Sequence, residues 1–256
     1  MPAVVRRRLF GRFASLFPQG AWLPRSLRTR STWRNLATDS ATAHGLSIAT
    51  LSPHRVRELL DPGFARQLGD YDPLDHVRRF YHHCDAADHL SKCRYVDICL
   101  GLADGILTKV DRASMAWGLE VRSPMLDHRF VEAAWQIPPR LLIRRRQGKT
   151  PLRRAVARQL GPAVANRPKG GFDMPLDEWF GGPLRRRFED GPLGRGGMLH
   201  EWISPAAIGR LWHTAGRTGG FGASLWKLTM LDAWSRLFCG AAIEPRRSSE
   251  APACIP

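Results

Sequence analysis

The sequence predicts a mainly α-helical protein, and three observations support this. Apolar residues recur at three- and four-residue intervals along most of the chain, as they do on one face of a helix. Capping residues and Pro or Gly stop signals bound several of these stretches. Alternation of apolar and polar residues, which is typical of half-buried strands, is scarce.

The first 52 residues are predicted to form a basic helical segment and a linker. Residues 1–38 carry eight arginines and no Asp or Glu. One apolar helix face flanked by arginines is predicted from residues that recur every four positions, namely Val5, Leu9, Phe13 and Phe17. A transit peptide has a similar pattern, but we favour a helix that packs on a partner domain. Residues 40–52 follow as a polar linker.

Two short helices are predicted next. The first covers residues 53–60, with Ser52 as its N-cap and Asp61-Pro62-Gly63 as its stop. The second covers residues 74–84, where apolar residues again follow helical spacing.

A longer apolar stretch covers residues 91–117 and predicts one or two buried helices. Gly101 or Gly105 is expected to mark a break between them. Residues 119–122 are then predicted to be extended, and Ser123-Pro124 closes this segment.

Two further helices have clear boundary residues. Asp127 is a good N-cap for the first, which Pro138-Pro139 is expected to end. Thr150-Pro151 is expected to start the second, with a capping hydroxyl and Pro at the first helical position. Gly161-Pro162 is expected to stop it.

The C-terminal half is predicted to be a loop followed by helices. The loop covers residues 166–175, and the helices cover residues 176–180, 205–213 and 222–238. We therefore divide the chain into a basic segment with linker (1–52), a main domain (53–243) and a disordered tail (244–256).

Composition limits the classes of function. With 43% apolar residues and nine tryptophans, most of the chain is expected to be globular. No apolar run approaches the ~20 residues of a membrane span, so we expect no membrane association. A net charge of +16 suggests a binding partner such as nucleic acid, an anionic membrane or a phosphate-bearing ligand. The alternative is that the charge only reflects GC-rich coding DNA. Five irregularly spaced cysteines without a secretory signal predict reduced thiols in the cytoplasm.

Lysine is unusual in this chain, since only five of the 39 basic residues are Lys. Three of them, Lys109, Lys149 and Lys169, lie within 61 residues of one another. Lys149 follows Gly148 just before a predicted helix N-terminus, where free N–H groups and the helix dipole favour a phosphate or carboxylate. A solvated cationic turn remains the alternative, and the spacing is not that of a Walker A loop.

Other charged residues are weaker candidates. Lys109 and Arg112 share a predicted helix face beside Asp111, either in a site or on a solvated surface. Glu120 and Arg122 alternate on the extended segment and are expected to form a buried pair or to shape a site.

We expect no metal site and no direct nucleic-acid site. The residues His82, His83, Cys84, His89 and Cys93 are zinc ligands in kind, but their spacing matches no common finger. The arginines are scattered or follow helix faces, without a recognised nucleic-acid motif.

Three segments together resemble the synthetase domain of glutamine-hydrolysing asparagine synthetases. They read GILTKVDRASMAWGLEVRSPMLDHRFVE, GKTPLRRA and NRPKGGFDMPLDEW, in the same order as in that family. The resemblance implies the C-terminal helical portion of a HUP-like, PP-loop (adenine nucleotide α-hydrolase-like) α/β synthetase domain.

The resemblance also implies a reaction. A carboxylate, such as that of aspartate, attacks the α-phosphate of Mg-ATP, and ammonia from glutamine then displaces AMP to form an amide. Lys149 matches the family's lysine beside the reacting phosphate. The resemblance assigns supporting roles to further matching positions, namely Lys109, Asp111, Arg112, Glu120, Arg122 and Lys169. ATP and Mg²⁺ are the implied substrate and cofactor.

Two family motifs do not occur in this sequence: the SGGxDS pyrophosphate loop and the GEGxDE motif that supplies magnesium carboxylates. Residue 2 is Pro2, whereas the family's glutaminase domain has an N-terminal cysteine nucleophile. We therefore expect a truncated or split piece that needs a glutaminase and PP-loop portion. The alternative is a non-catalytic basic protein that binds an acidic partner or nucleic acid.

Overall fold

The computed structural model describes residues 30–144, 147–168, 170, 174–194, 198–218 and 220–239. This part of the chain is mainly helical and holds no strand, which confirms the predicted α class. The predicted helix face from Val5 to Phe17, residue Lys169 and the predicted tail (244–256) lie outside the described residues.

The helices follow one another with short connections. In chain order they are α1 (Arg30–Ala37), α2 (Ser40–Ile48), α3 (Pro53–Arg57), α4 (Pro62–Leu68), α5 (Leu74–His83), α6 (His89–Val96), a π-helix (Asp97–Leu107), α7 (Thr108–Met115), a 3₁₀ turn (Pro124–Leu126), α8 (His128–Trp135), α9 (Pro139–Leu142), α10 (Thr150–Leu160), α11 (Pro162–Ala165), α12 (Leu176–Gly181), α13 (Arg185–Asp190), α14 (Leu199–Trp202), α15 (Pro205–Thr218) and α16 (Gly222–Phe238).

The contacts divide the described residues into two compact units. The first holds residues 35–47 and 74–170, and the second holds residues 30–34, 48–73 and 174–239.

The first unit has a small core that α2, α5 and α6 share. Its buried residues are Ala41, Val77, Tyr81 and Val96. Gly45 of α2 lies so close to α5 that an added Cβ would meet the Leu74 side chain at 2.7 Å. The absence of a side chain on this glycine therefore allows the two helices to approach.

The second unit has the larger core. Its buried residues are Phe180, Phe188, Leu199, Ile203, Ile208, Leu225 and Leu228. The Phe188 ring is stacked on Trp212, with centroids 4.7 Å apart, and meets Phe180 edge-on. These aromatic contacts join α12, α13 and α15 around one centre.

Two boundary predictions near the start of the described chain are wrong. Residues 40–52 do not form a linker, because α2 covers Ser40–Ile48. Asp61-Pro62-Gly63 was predicted to end a helix, but it begins α4. The Asp61 carboxylate accepts hydrogen bonds from the N–H groups of Gly63 (2.7 Å) and Phe64 (3.3 Å). The same residues suit a stop and an N-cap with Pro at the first position, and the bonds accepted decide between them.

Asp61→Ala is expected to lower the free energy of unfolding by about 0.5–2 kcal/mol, because two N–H groups of α4 lose their acceptor. Urea unfolding followed by circular dichroism measures this. Asp61→Asn is the matched control, since Asn caps helices about as well as Asp. An equal loss in both variants would contradict a capping role.

The prediction of one or two buried helices over residues 91–117 agrees with the structure only in part, since Ser91 and Val96 of α6 are buried but later residues are not. The backbone continues from α6 through the π-helix into α7 without a break at Gly101 or Gly105. From Asp97 to Met115 no residue is buried, and Trp117 remains 76% exposed. The apolar periodicity identified the helical structure correctly, but beyond Val96 its apolar face is only partly covered, with Leu100 packed against the core of the first unit without being buried.

Other helix boundaries agree with the sequence. Ser52 caps α3 and Asp127 caps α8 through side-chain acceptors. Gly161, at φ 86°, ends α10. Thr150 does not cap α10, because its hydroxyl donates to the Gln147 carbonyl (3.3 Å) and Lys149 occupies the N-cap position.

Candidate functional site

The turn before α10 places Lys149 in an unusual backbone conformation. Arg144 and Gln147 exchange two backbone hydrogen bonds of 2.9 Å, which fold the chain back just before Gly148. Lys149 then adopts φ 59° and ψ 32°, and it is the sole described non-glycine residue with positive φ. This left-handed conformation costs roughly 1–2 kcal/mol for an L-residue with a Cβ. Its side chain is exposed to solvent.

Arg153 holds this turn against the end of α11. Its Nε donates to the Gly148 carbonyl (3.2 Å), and its Nη1 donates to the Ala165 carbonyl. Its backbone N–H also donates to the Lys149 carbonyl (2.9 Å). One side chain thus joins the turn, the first part of α10 and the end of α11, and the unusual backbone of Lys149 is held from both sides.

A cationic cleft of about 390 Å³ lies beside the turn. Arg144, Arg153 and Arg154 line it, together with polar groups that include Gln147 and Asn166. No carboxylate is among the lining residues. Because the N-terminus of an eleven-residue helix adds positive potential at the same place, the cleft suits an anion such as phosphate.

The same residues do not fit magnesium. Mg²⁺ prefers carboxylate and water oxygens, whereas this cleft presents three guanidinium groups. The cleft therefore suits an anion but offers no ligand set for the metal ion.

Lys109, Asp111 and Arg112 lie exposed on α7. In the described part of the chain none of their side chains has a hydrogen bond or an ion pair. The structure places them on one short helix but does not join them to Lys149 by any contact that it describes.

Glu120 and Arg122 form the ion pair that their alternation suggested. Of the two expected arrangements, the buried pair is wrong, because the side chains of Glu120 and Arg122 are 67% and 88% exposed. The segment lies where no neighbouring element covers it, so solvent screens the pair.

The histidine and cysteine residues near α5 and α6 make a different arrangement from a metal site. Within the described ranges, no group of three or more His, Cys, Asp or Glu side chains could hold a metal ion. His89 instead hydrogen-bonds through Nδ1 to the Tyr81 hydroxyl, and burial raises the pKa of that hydroxyl. Burial also raises the pKa of the Cys93 thiol. The four described cysteines are free thiols.

Sequence reasoning missed the arginines of the cleft. Arg153 and Arg154 lie within the GKTPLRRA segment that carried the resemblance, yet only its lysine was considered for the site. Their position within the first five residues of a helix that follows a Gly-Lys turn was the available signal, because cations there add to the positive potential of the helix N-terminus.

No helix in the described ranges is long and apolar enough to cross a membrane.

Comparison with known proteins identifies the family of this chain. The asparagine synthase family model matches residues 3–236. A putative glutamine-hydrolysing asparagine synthetase of Mycobacterium tuberculosis is 25% identical over 94% of this chain and 36% of its own length, and that of Mycobacterium bovis matches equally.

Asparagine synthetase 1 (glutamine-hydrolysing) of Bacillus subtilis is 32% identical over 41% of this chain and 17% of its own length. The chain thus spans about a third of the length of the Mycobacterium relatives, and no solved structure matches it. Since the family model covers most of the chain, the protein belongs to the asparagine synthase family.

Proposed function

We propose that this chain is part of an ATP-dependent amide-forming enzyme of the asparagine synthase type. In this reaction a carboxylate attacks the α-phosphate of ATP and releases pyrophosphate. Ammonia derived from glutamine then displaces AMP from the acyl-adenylate and forms the amide. Family membership supports the reaction class, and the cationic cleft beside Lys149 is the single structural observation that carries the proposal.

The role that we propose for Lys149 is electrostatic. An anionic carboxylate has to approach an anionic phosphate, and a fixed cation lowers that barrier. The strained turn holds Lys149 at the N-terminus of α10, and Arg153 holds the turn. Neither the strained turn nor the hydrogen bonds of Arg153 would be expected around a lysine that is only a solvated surface residue.

We propose weaker roles for the remaining candidates, which shape the site or support it once the enzyme is complete. The exposed positions of this group are Lys109, Asp111, Arg112, Glu120 and Arg122. Lys169, which lies outside the described residues, is proposed to belong to a segment that closes over or braces the site.

A second polypeptide portion is needed in this proposal. We infer that it has a HUP-like, PP-loop fold, because the pyrophosphate loop and the magnesium carboxylates are not in this sequence and the cleft offers no metal ligand. A glutaminase portion would supply ammonia. The free cysteines are consistent with the reducing cytoplasm, where we place the enzyme.

Inorganic pyrophosphate tests the cleft directly. Titration by calorimetry at low salt is expected to show binding that Lys149→Gln weakens by about 10- to 150-fold, since a charge-assisted hydrogen bond contributes ~1.5–3 kcal/mol. Arg153→Gln is expected to weaken binding further, because the turn and the cleft both depend on this side chain.

Lys149 does not line the cleft but directly precedes the lining residue Thr150. Arg158→Gln is the matched control, because it removes an exposed arginine of the same helix nine residues further along the chain that does not line the cleft either. Binding that is absent from the unmodified protein, or that falls equally in the Arg158 variant, would contradict a phosphate site at this turn.

A further inference from the structure

A cavity of about 570 Å³ lies in the second unit, between α12, the start of α13 and the end of α15. The cationic cleft and Lys149 belong to the first unit, so none of their residues takes part in it. The volume falls within the roughly 300–1,000 Å³ of small-molecule sites. The second unit therefore has room for a ligand of its own.

Helix α15 lines one wall of this cavity with an aromatic ring and a glycine. Trp212 is half-buried, and Phe188 is stacked on its ring. Gly216 lies one turn further along α15, where an added Cβ would meet no atom of a neighbouring element within 4 Å. Because residues four apart on a helix are neighbours, the missing side chain leaves room for a flat apolar group beside the indole ring.

Asp177 fixes a second wall, which α12 provides. Its two carboxylate oxygens accept hydrogen bonds from the N–H groups of Gly220 (2.8 Å) and Gly222 (2.7 Å), so α12 is joined to the start of α16. Gly222 lies so close to α12 that an added Cβ would meet Leu176 Cβ at 2.6 Å. The Asp177 carboxylate is thus held by the backbone and not by an arginine of the cavity.

Two arginines also line the cavity, Arg185 at the start of α13 and Arg217 near the end of α15. Both are exposed, so a ligand can reach them. The Nε of Arg185 donates to Glu189 (3.0 Å). Arg217 has no hydrogen bond or ion pair with any residue that the structure describes. Its guanidinium is therefore free to turn onto an acceptor in the cavity, and its planar fork suits a carboxylate.

We propose that this cavity binds an aromatic carboxylate, with its ring beside Trp212 and Gly216 and its carboxylate on Arg217. The fixed charges of the lining come from one Asp and two Arg, which leaves one positive charge for a singly charged anion to balance. The half-buried indole favours an aromatic body over an alkyl chain, because aromatic rings attract one another when they pack offset or edge to face. The site does not depend on the amide-forming reaction.

The probe is β-naphthylacetate, titrated by calorimetry into the full chain. The alcohol β-naphthylethanol supplies the same ring without the charge, and acetate supplies the charge without the ring. The probe is expected to bind at least about tenfold more tightly than either, since only the probe meets both Trp212 and Arg217. Arg217→Gln is expected to remove most of the difference between probe and alcohol, whereas Arg210→Gln, an exposed arginine of the same helix outside the cavity, leaves it unchanged.

Gly216→Met tests the position of the site, because the new side chain occupies the space beside Trp212 without meeting a neighbouring element at its Cβ. This variant is expected to weaken binding of the probe at least about tenfold. Gly209→Met is the matched control. Gly209 lies on the same helix, an added Cβ there also meets no neighbouring element within 4 Å, and the residue does not line the cavity. Circular dichroism checks that both variants keep their helix content.

Three results would overturn the proposal. The first is a probe that does not bind, or that binds no more tightly than the alcohol, since Arg217 then selects nothing. The second is unchanged binding to Gly216→Met, which would place the ligand elsewhere on the chain. The third is an equal loss in Gly216→Met and Gly209→Met, which would show that the helix is disturbed and not that the cavity is filled.

Discussion

The purified chain is expected to release no pyrophosphate above background when it is mixed with ATP, Mg²⁺, aspartate and ammonium. Lys149 and the three arginines of the cleft can offset negative charge. The sequence contains neither the SGGxDS loop nor the GEGxDE carboxylates, and the cleft presents no ligand for the metal ion. Phosphoryl transfer depends almost entirely on positioning and charge stabilisation, so a chain without these groups should not turn over if the proposed function is right.

Adding a polypeptide that carries both motifs is expected to restore pyrophosphate release. An open reading frame next to this gene is the first place to look for it. In that assembly Lys149→Gln is expected to lower the rate about 10²–10³-fold, as removal of one transition-state donor does in other enzymes. Lys149→Arg keeps the charge but not the compact ammonium geometry, and it should recover only part of the rate.

Arg158→Gln again serves as the control, and its rate should remain close to that of the unmodified assembly. Robust pyrophosphate release by the chain alone would refute the need for a second portion. A normal rate in the Lys149→Gln assembly would refute the role of the lysine while leaving the family assignment intact.

Phe188→Ala is expected to destabilise the second unit by about 3–5 kcal/mol, the range measured for buried aromatic residues replaced by Ala. Phe188 is fully buried, and its ring contacts Phe180 and Trp212 at the centre of the core. Its removal leaves a cavity that helices on several sides would have to close. Urea unfolding monitored by tryptophan fluorescence measures the loss, because Trp212 lies against the lost ring.

Phe238→Ala is the comparison, because Phe238 belongs to the same unit but is 65% exposed. Its effect should stay within about 0.5–1 kcal/mol, as for most surface substitutions. Similar losses in the two variants would show that the core does not centre on Phe188.

The residues at helix boundaries show which structural features can be predicted from local sequence. Ser52 and Asp127 cap the helices that were predicted from them, because a cap is a bond between neighbours in the chain. The residues Asp61-Pro62-Gly63 are compatible with the end of one helix and with the start of the next. They were predicted to end a helix, but they start α4. Local residue types suited both readings, and only the bonds that the Asp61 carboxylate accepts distinguish them.

Burial was less predictable than helix formation. The apolar spacing over residues 91–117 predicted helical structure correctly, yet no residue of the π-helix or of α7 is buried. Spacing shows which residues share a face, whereas burial depends on whether another element packs against that face. For the same reason the Glu120–Arg122 pair was identified but its exposure was not.

The sequence by itself determined the helical class and membership of the asparagine synthase family, because helical periodicity and ordered motifs are properties of the chain alone. The tertiary structure decided which side chains accompany Lys149. Arg153 reaches Ala165, twelve residues away, and Arg94 reaches Ala134, forty residues away. Such contacts depend on how helices pack, so the cationic cleft became visible only in the folded protein.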